Sequence, residues 1–122
     1  MNLFTKAITS KLIKNGIERI TTGNDDHKPV VKWFNPVGGG TWLITSLGVY
    51  KDGSGEYVPD GTAYGLCDLG MGSAEIGSVS VEEISSVKLM MGLGIERDRY
   101  FKANKTLSGY ADEARSEGRI IA

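Results

Sequence analysis

The chain has a single cysteine, Cys67, and a single histidine, His27, among 122 residues. One cysteine excludes an intrachain disulfide and any cysteine-based zinc cluster. No stretch approaches the ~20 apolar residues of a membrane span. Met1–Lys6 is interrupted by lysine and lacks the apolar run of a signal peptide, so the expected compartment is the cytoplasm, with no membrane partner. Gly-Lys-Ser/Thr does not occur, which removes the phosphate-cradling loop of common nucleotide-binding proteins. Gly70-Met71-Gly72-Ser73-Ala74-Glu75 ends in Glu75 where a dinucleotide fingerprint needs its third glycine. Gly38-Gly39-Gly40 leads into a strand-like segment, so no helix N-terminus waits there for a phosphate. Asp52-Gly53-Ser54-Gly55-Glu56 starts like a calcium loop, but Pro59 and the missing closing ligand break the pattern. These glycines read as turns, and no cofactor is expected.

What remains is ordinary globular composition: 40% hydrophobic and 24% charged residues, with a net charge of −1. Such a chain is long enough to bury roughly two thirds of its unfolded surface in one domain. The expected division is a single domain over 1–106, followed by a C-terminal tail or weak helix over 107–122. Charge is unevenly placed. Residues 52–87 hold seven acids (Asp52, Glu56, Asp60, Asp68, Glu75, Glu82, Glu83) and no Lys or Arg, whereas residues 1–51 hold seven basic side chains against three acids. An asymmetry of this kind marks a partner-binding face in some proteins, and in others folding mixes it away.

The hydrophobic spacing predicts α+β. Phe4, Ile8 and Leu12 make one helical stripe over about Thr5–Asn15, with Thr5 as N-cap and Asn15-Gly16 as the stop. Val30–Phe34 reads as a strand, as does Thr41–Tyr50, which is rich in β-branched and aromatic residues and apolar on both faces, hence central. Lys51–Gly61 reads as a turn region, with further strands over Ala63–Leu69 and Glu75–Val79. Ser80-Val81-Glu82-Glu83 is a capping box, flanked by Val79 and Ile84 as a hydrophobic staple, and predicts a helix over Val81–Met91. Ile95–Phe101 is a charged and aromatic segment able to extend, and Leu107–Glu117 a final helix, exposed and prone to fray. The expected fold is a small, mainly antiparallel sheet of about four strands with an N-terminal helix and a second helix near residues 81–91.

Two groups of side chains suggest sites. In an extended Ile95–Phe101, Glu96 and Asp98 share one face and Arg97 and Arg99 the other. The carboxylates suit a metal or a shared proton, the guanidiniums a phosphate or carboxylate. The bland alternative is an ion-pair network tying this segment to the sheet. Trp33 and Trp42, with Phe34 and Lys32 beside them, suit base stacking, although such residues in strands are more often core. His27, in a polar loop beside Asp25 and Asp26, is a weak general-base candidate. Cys67, within a strand, reads as a small hydrophobe.

Six segments in order, Leu3-Phe4-Thr5-Lys6, Lys32-Trp33-Phe34-Asn35-Pro36, Thr41-Trp42, Tyr64-Gly65-Leu66, Glu75-Ile76-Gly77 and Ile95-Glu96-Arg97-Asp98-Arg99-Tyr100-Phe101, resemble a bacterial family catalogued as domain of unknown function 2958. The resemblance spans roughly residues 1–106. Ser78 and Val79 stand where relatives tend to carry aromatics, and the tail from Leu107 reads as particular to this member. The resemblance implies a compact domain often carried on phages and plasmids and transfers no catalytic residue. The functional expectation is a non-enzymatic binding protein of a mobile element, acting on a host protein or small ligand. The alternatives are a single-stranded nucleic-acid binding module, against which the net charge of −1 argues, and a small metal- or nucleotide-dependent enzyme using the Glu96–Asp98 segment.

Overall fold

The computed structural model describes residues 2–122. Helix α1 spans Lys6–Thr22 and starts where expected: the Thr5 hydroxyl accepts the Ile8 N–H at 3.1 Å. It does not stop at Asn15-Gly16. It continues to Thr22 and closes at Gly23, whose φ of 77° is the left-handed conformation that glycine adopts without strain. Asn15 and Gly16 are instead where the helix meets the sheet.

Among the described residues the sheet has five strands, all antiparallel, where about four were expected. They are β1 (Val31–Phe34), β2 (Thr41–Lys51), β3 (Tyr57–Asp68), β4 (Glu75–Ser80) and β5 (Glu96–Arg97), in the spatial order β4-β3-β2-β1-β5. The central strand is β2, in accord with its two apolar faces. The β2–β3 hairpin runs further than the turn-rich sequence suggested, because Val49, Tyr50 and Lys51 pair with Pro59, Val58 and Tyr57. Pro59 is tolerated because β4 pairs only with Thr62–Cys67, so this part of β3 has no outer neighbour that needs an N–H. Asp52 closes the tight turn by accepting from Ser54 N, Ser54 Oγ and Glu56 N. Its carboxylate thus stabilises the turn that had resembled a calcium loop.

Two irregularities bend β2. Thr45 is an extra residue between the pairs Ile44↔Gly65 and Ser46↔Tyr64, and a bulge of this type displaces a carbonyl from the ladder. The Asn15 amide donates to the Thr45 carbonyl at 2.9 Å from a buried position. One turn of α1 lies so close to β2 that a Cβ on Gly16 would overlap the Leu47 carbonyl. Further along, Asp60-Gly61-Thr62 bulges opposite Gly48, with the Asp60 carboxylate holding Thr62 N and Thr62 Oγ1 at 2.9 and 2.7 Å.

The two faces carry separate cores, as strand alternation requires. One gathers Leu3, Leu12, Val31, Trp33, Trp42, Ile44, Leu47, Ala63, Ile84 and Ile95. The other gathers Leu43, Leu66, Leu107, Tyr110, Ala111, Ala114 and Ile120. Helix α2 starts as the capping box predicts, with Ser80 Oγ accepting from Glu83 N at 3.2 Å. It is shorter than expected, covering Val81–Ser86. The Ser86 hydroxyl turns back onto the Glu83 carbonyl, and Val87 goes extended, so that Val87 and Leu89 alternate onto the first core. A single 3₁₀ turn at Met90–Gly92 follows, with Met91 at a φ of 61°.

Helix α3, Leu107–Glu117, has the expected bounds but not the expected exposure. Leu107, Tyr110, Ala111 and Ala114 are buried against the sheet. Distant residues fasten it. Thr106 makes no side-chain cap. Instead, Asp26, from the loop after α1, accepts Ser108 N and Ser108 Oγ, each at 2.7 Å, while the His27 carbonyl accepts Leu107 N. At the far end buried Asp68 accepts Ile120 N at 3.1 Å and Gly70 N at 2.8 Å.

Two outcomes follow for stability. Gly16→Ala improves helix propensity by about 1 kcal/mol in an isolated helix. Here it pushes a methyl into the Leu47 carbonyl, an overpacking that costs about 1–3 kcal/mol; a denaturant melt should show net destabilisation, and a gain would contradict the close crossing. The Ser108 hydrogen bonds, first the hydroxyl and then the backbone N–H, hold the Asp26 carboxyl below its ordinary value. A depressed folded-state pKa gives stability that is present above the unfolded value of about 3.9 and is lost as pH falls through the folded value. Asp26→Asn should therefore flatten the acid limb of the stability profile. Its cost at neutral pH should be at most about 1 kcal/mol, since the site is largely solvent-screened.

Candidate functional site

The short β5 is the outer strand beside β1, pairing Trp33↔Arg97 and Phe34↔Glu96. One more bond, Asp98 N to the Lys32 carbonyl at 3.0 Å, carries the ladder a residue further. The chain then turns. Asp98 Oδ1 accepts Tyr100 N at 2.9 Å, and the Asp98 carbonyl accepts Phe101 N at 3.4 Å. An Asp side chain bonding two residues ahead is a common way to fix such a turn. Asp98 Oδ2 lies 3.8 Å from Lys32 Nζ, which also donates to the Ala122 carbonyl at 2.6 Å.

Phe101 turns inward, toward Tyr110 on the α3 face of the sheet (ring centroids 6.4 Å apart). Tyr100 points out and is 94% exposed. Three open depressions border the turn, and Asp98 lines all of them. The most apolar, about 360 Å³, is formed by Lys32, Phe34, Arg97, Asp98, Arg99 and Tyr100. A second, about 430 Å³, reaches the N-cap Thr5 and Ile8 of α1, and a third, about 360 Å³, reaches Tyr110 and Glu113 of α3. The first combines two aromatic rings with three cationic side chains and one carboxylate, a set suited to an anionic group attached to an apolar one.

Of the residues singled out in the sequence, Glu96, Arg97, Asp98 and Arg99 fall together on this edge. Trp33 and Trp42 do not join them as a surface platform. Both are buried. Trp33 Nε1 donates to the Leu3 carbonyl at 3.1 Å, and its ring meets Phe4 edge-on at 5.5 Å. Their role is the core, where burying an aromatic is worth about 1.5–3 kcal/mol. The expected carboxylate pair is also altered, because both Asp98 oxygens already serve the turn and Lys32. Among the described residues, no group of three His, Cys, Asp or Glu side chains is placed to hold a metal ion. Burial pushes the Cys67 thiol up to about 11, so little reactive thiolate forms at neutral pH. The His27 ring lies 3.6 Å from Glu18 and 3.4 Å from Asn24, lines none of these three depressions, and its carbonyl fastens α3. By sequence Lys32 and Phe34 group with the tryptophans; only the β1–β5 pairing brings them beside Arg99 and Tyr100.

Fold and site together define a small α+β protein with an antiparallel sheet and an aromatic and cationic depression on one edge. Residues 3–121 match the family model described as "Protein of unknown function (DUF2958)", and the chain belongs to that family. The match includes α3, so the C-terminal segment is part of the family domain and not an addition in this member. No curated protein and no solved structure matches the chain. Among the described residues, no helix is long and apolar enough to cross a membrane.

The turn and its display residue should separate on mutation. Asp98→Ala removes the bond to Tyr100 N and the Lys32 contact and should cost about 1 kcal/mol. Tyr100→Ala should stay within about 0.5 kcal/mol of wild type, as exposed substitutions do. Urea melts of both variants check this; a large loss in Tyr100→Ala would make that ring structural.

Proposed function

We propose that this chain is a non-enzymatic binding protein of a mobile element that engages a host protein or small ligand through its β5 edge. The observation that carries the reading is Tyr100, almost fully exposed and held by the Asp98 turn beside Phe34, Lys32, Arg97 and Arg99. An exposed tyrosine beside arginines is the composition of an interface hot spot, and fixing its backbone in a turn beforehand lowers the ordering cost of association. The cations select a carboxylate or phosphate, and the rings select an apolar or aromatic neighbour to it. This favours a ligand such as an aromatic acid or phosphate, or a protein surface presenting the same pair of groups.

A thermal-shift panel of aromatic carboxylates and phosphates tests the reading, because a ligand that binds only the folded state raises its melting temperature. At least one compound should raise it saturably, and Tyr100→Ala and Arg99→Ala should each weaken that response about tenfold or more. In parallel, immobilised wild type should retain a host-lysate protein that Tyr100→Ala does not. Failure of both arms overturns the proposal, as does a response that both variants preserve.

A further inference from the structure

Strand β4 closes the sheet on the side opposite β5. Its inner edge pairs with β3 from Thr62↔Ser80 to Cys67↔Glu75. Among the described residues, no backbone hydrogen bond from a segment other than β3 reaches Glu75–Val79. Free edges are normally shielded by lysine, proline, a bulge or a covering element. Strand β4, Glu-Ile-Gly-Ser-Val-Ser, has no lysine or proline and runs in unbroken register with β3; its one charged residue, Glu75, stands at its end, and Gly77 leaves open space where a side chain would stand. A groove of about 600 Å³ lies alongside, formed by Gly72–Ile76 and, across it, Ala114 and Arg115 of α3. Ile76 is 38% exposed.

Charge selects the occupant. Glu75 stands at one end of β4, and Glu82 and Glu83 lie in the first turn of α2 just past the other, all three exposed. Two cations on this side are engaged within the protein: Arg19 stacks at 3.7 Å on Tyr64, the cross-strand partner of Ser78, and Arg115, which lines the groove, bonds Asp112 at 3.0 Å. A second copy paired antiparallel on this edge would set Glu75 of each chain against the Ser80–Glu83 corner of the other, acid against acid, which is destabilising. A basic strand meets the opposite situation.

We propose that the β4 edge takes up an extended lysine- or arginine-bearing segment of a partner protein by strand addition. Main-chain bonds to β4 supply affinity, and alternate side chains supply selection. An apolar residue of the segment rests on the exposed Ile76, and its cations lie near Glu75, Glu82 and Glu83. This surface is on the opposite edge from the Tyr100 site, and neither proposal depends on the other.

The test is fluorescence anisotropy at low salt with a labelled peptide alternating lysine and valine, against a counterpart alternating glutamate and valine. The basic peptide should bind saturably and the acidic one should not. Hydrogen exchange should slow in Glu75–Ser80 on binding. Glu75→Lys combined with Glu82→Lys should weaken binding at least about tenfold, as should Ile76→Lys, while Glu117→Lys leaves it unchanged; thermal melts confirm that each variant is folded. Absence of binding, equal binding of the acidic peptide, protection away from β4 or equal loss in Glu117→Lys each overturns the proposal. So does self-association through β4 that excludes the peptide.

Discussion

The rest of the structure depends on the contact between Asn15-Gly16 and the Thr45 bulge of β2. A bulge in a buried central strand leaves a carbonyl without its ladder partner, and leaving such a group unsatisfied costs about 1–3 kcal/mol. Asn15 removes that cost from the one place on α1 where Gly16 lets the helix approach the backbone. The bulge in turn bends β2, a central strand that carries residues of both cores. Ile44 and Leu47 face Leu12 and Ala63 on one side, and Leu43 faces Leu66 on the other. Helix position, strand curvature and side-chain assignment are therefore one solution.

The C-terminal helix shows the same dependence at longer range. An amphipathic helix of eleven residues is marginal by itself. Here Asp26 and the His27 carbonyl satisfy its first N–H groups, and Asp68 holds the segment after it. These fastenings come from the α1–β1 loop and the end of β3. They place Tyr110 beside Phe101 and so close the second core beneath the β5 turn. The candidate binding edge rests on this helix as well as on the sheet.

Folding turns the uneven charge of the sequence into a spatial division. The acid-rich span 52–87 supplies β3, β4 and α2, and its exposed Glu75, Glu82 and Glu83 gather about the β4 edge. Lys32, Arg97 and Arg99, from the flanking spans, meet at the β5 edge. A sheet whose two edges gather different side chains offers two chemically distinct surfaces, one aromatic and rich in cations, the other main-chain and acidic.

Local signals determined much of this protein by themselves. Thr5 and Ser80 mark helix starts, because a cap needs only its own next turn. The mixed faces of Thr41–Tyr50 mark the central strand, and the Ile95–Phe101 segment was legible as unusual from its four consecutive charges. What only the tertiary structure decided is where long-range partners overrule local preference. Gly16 reads as a stop until β2 approaches it, and Trp33 and Trp42 read as a possible platform until the first core covers them. The Val81 helix ends early because Val87 and Leu89 bury better extended. Asp26 gives no local sign of capping a helix that starts 81 residues later. The physical reason is common to all of these: a buried polar group or a close backbone approach takes its meaning from the atom opposite, and residue order along the chain does not specify which atom that is.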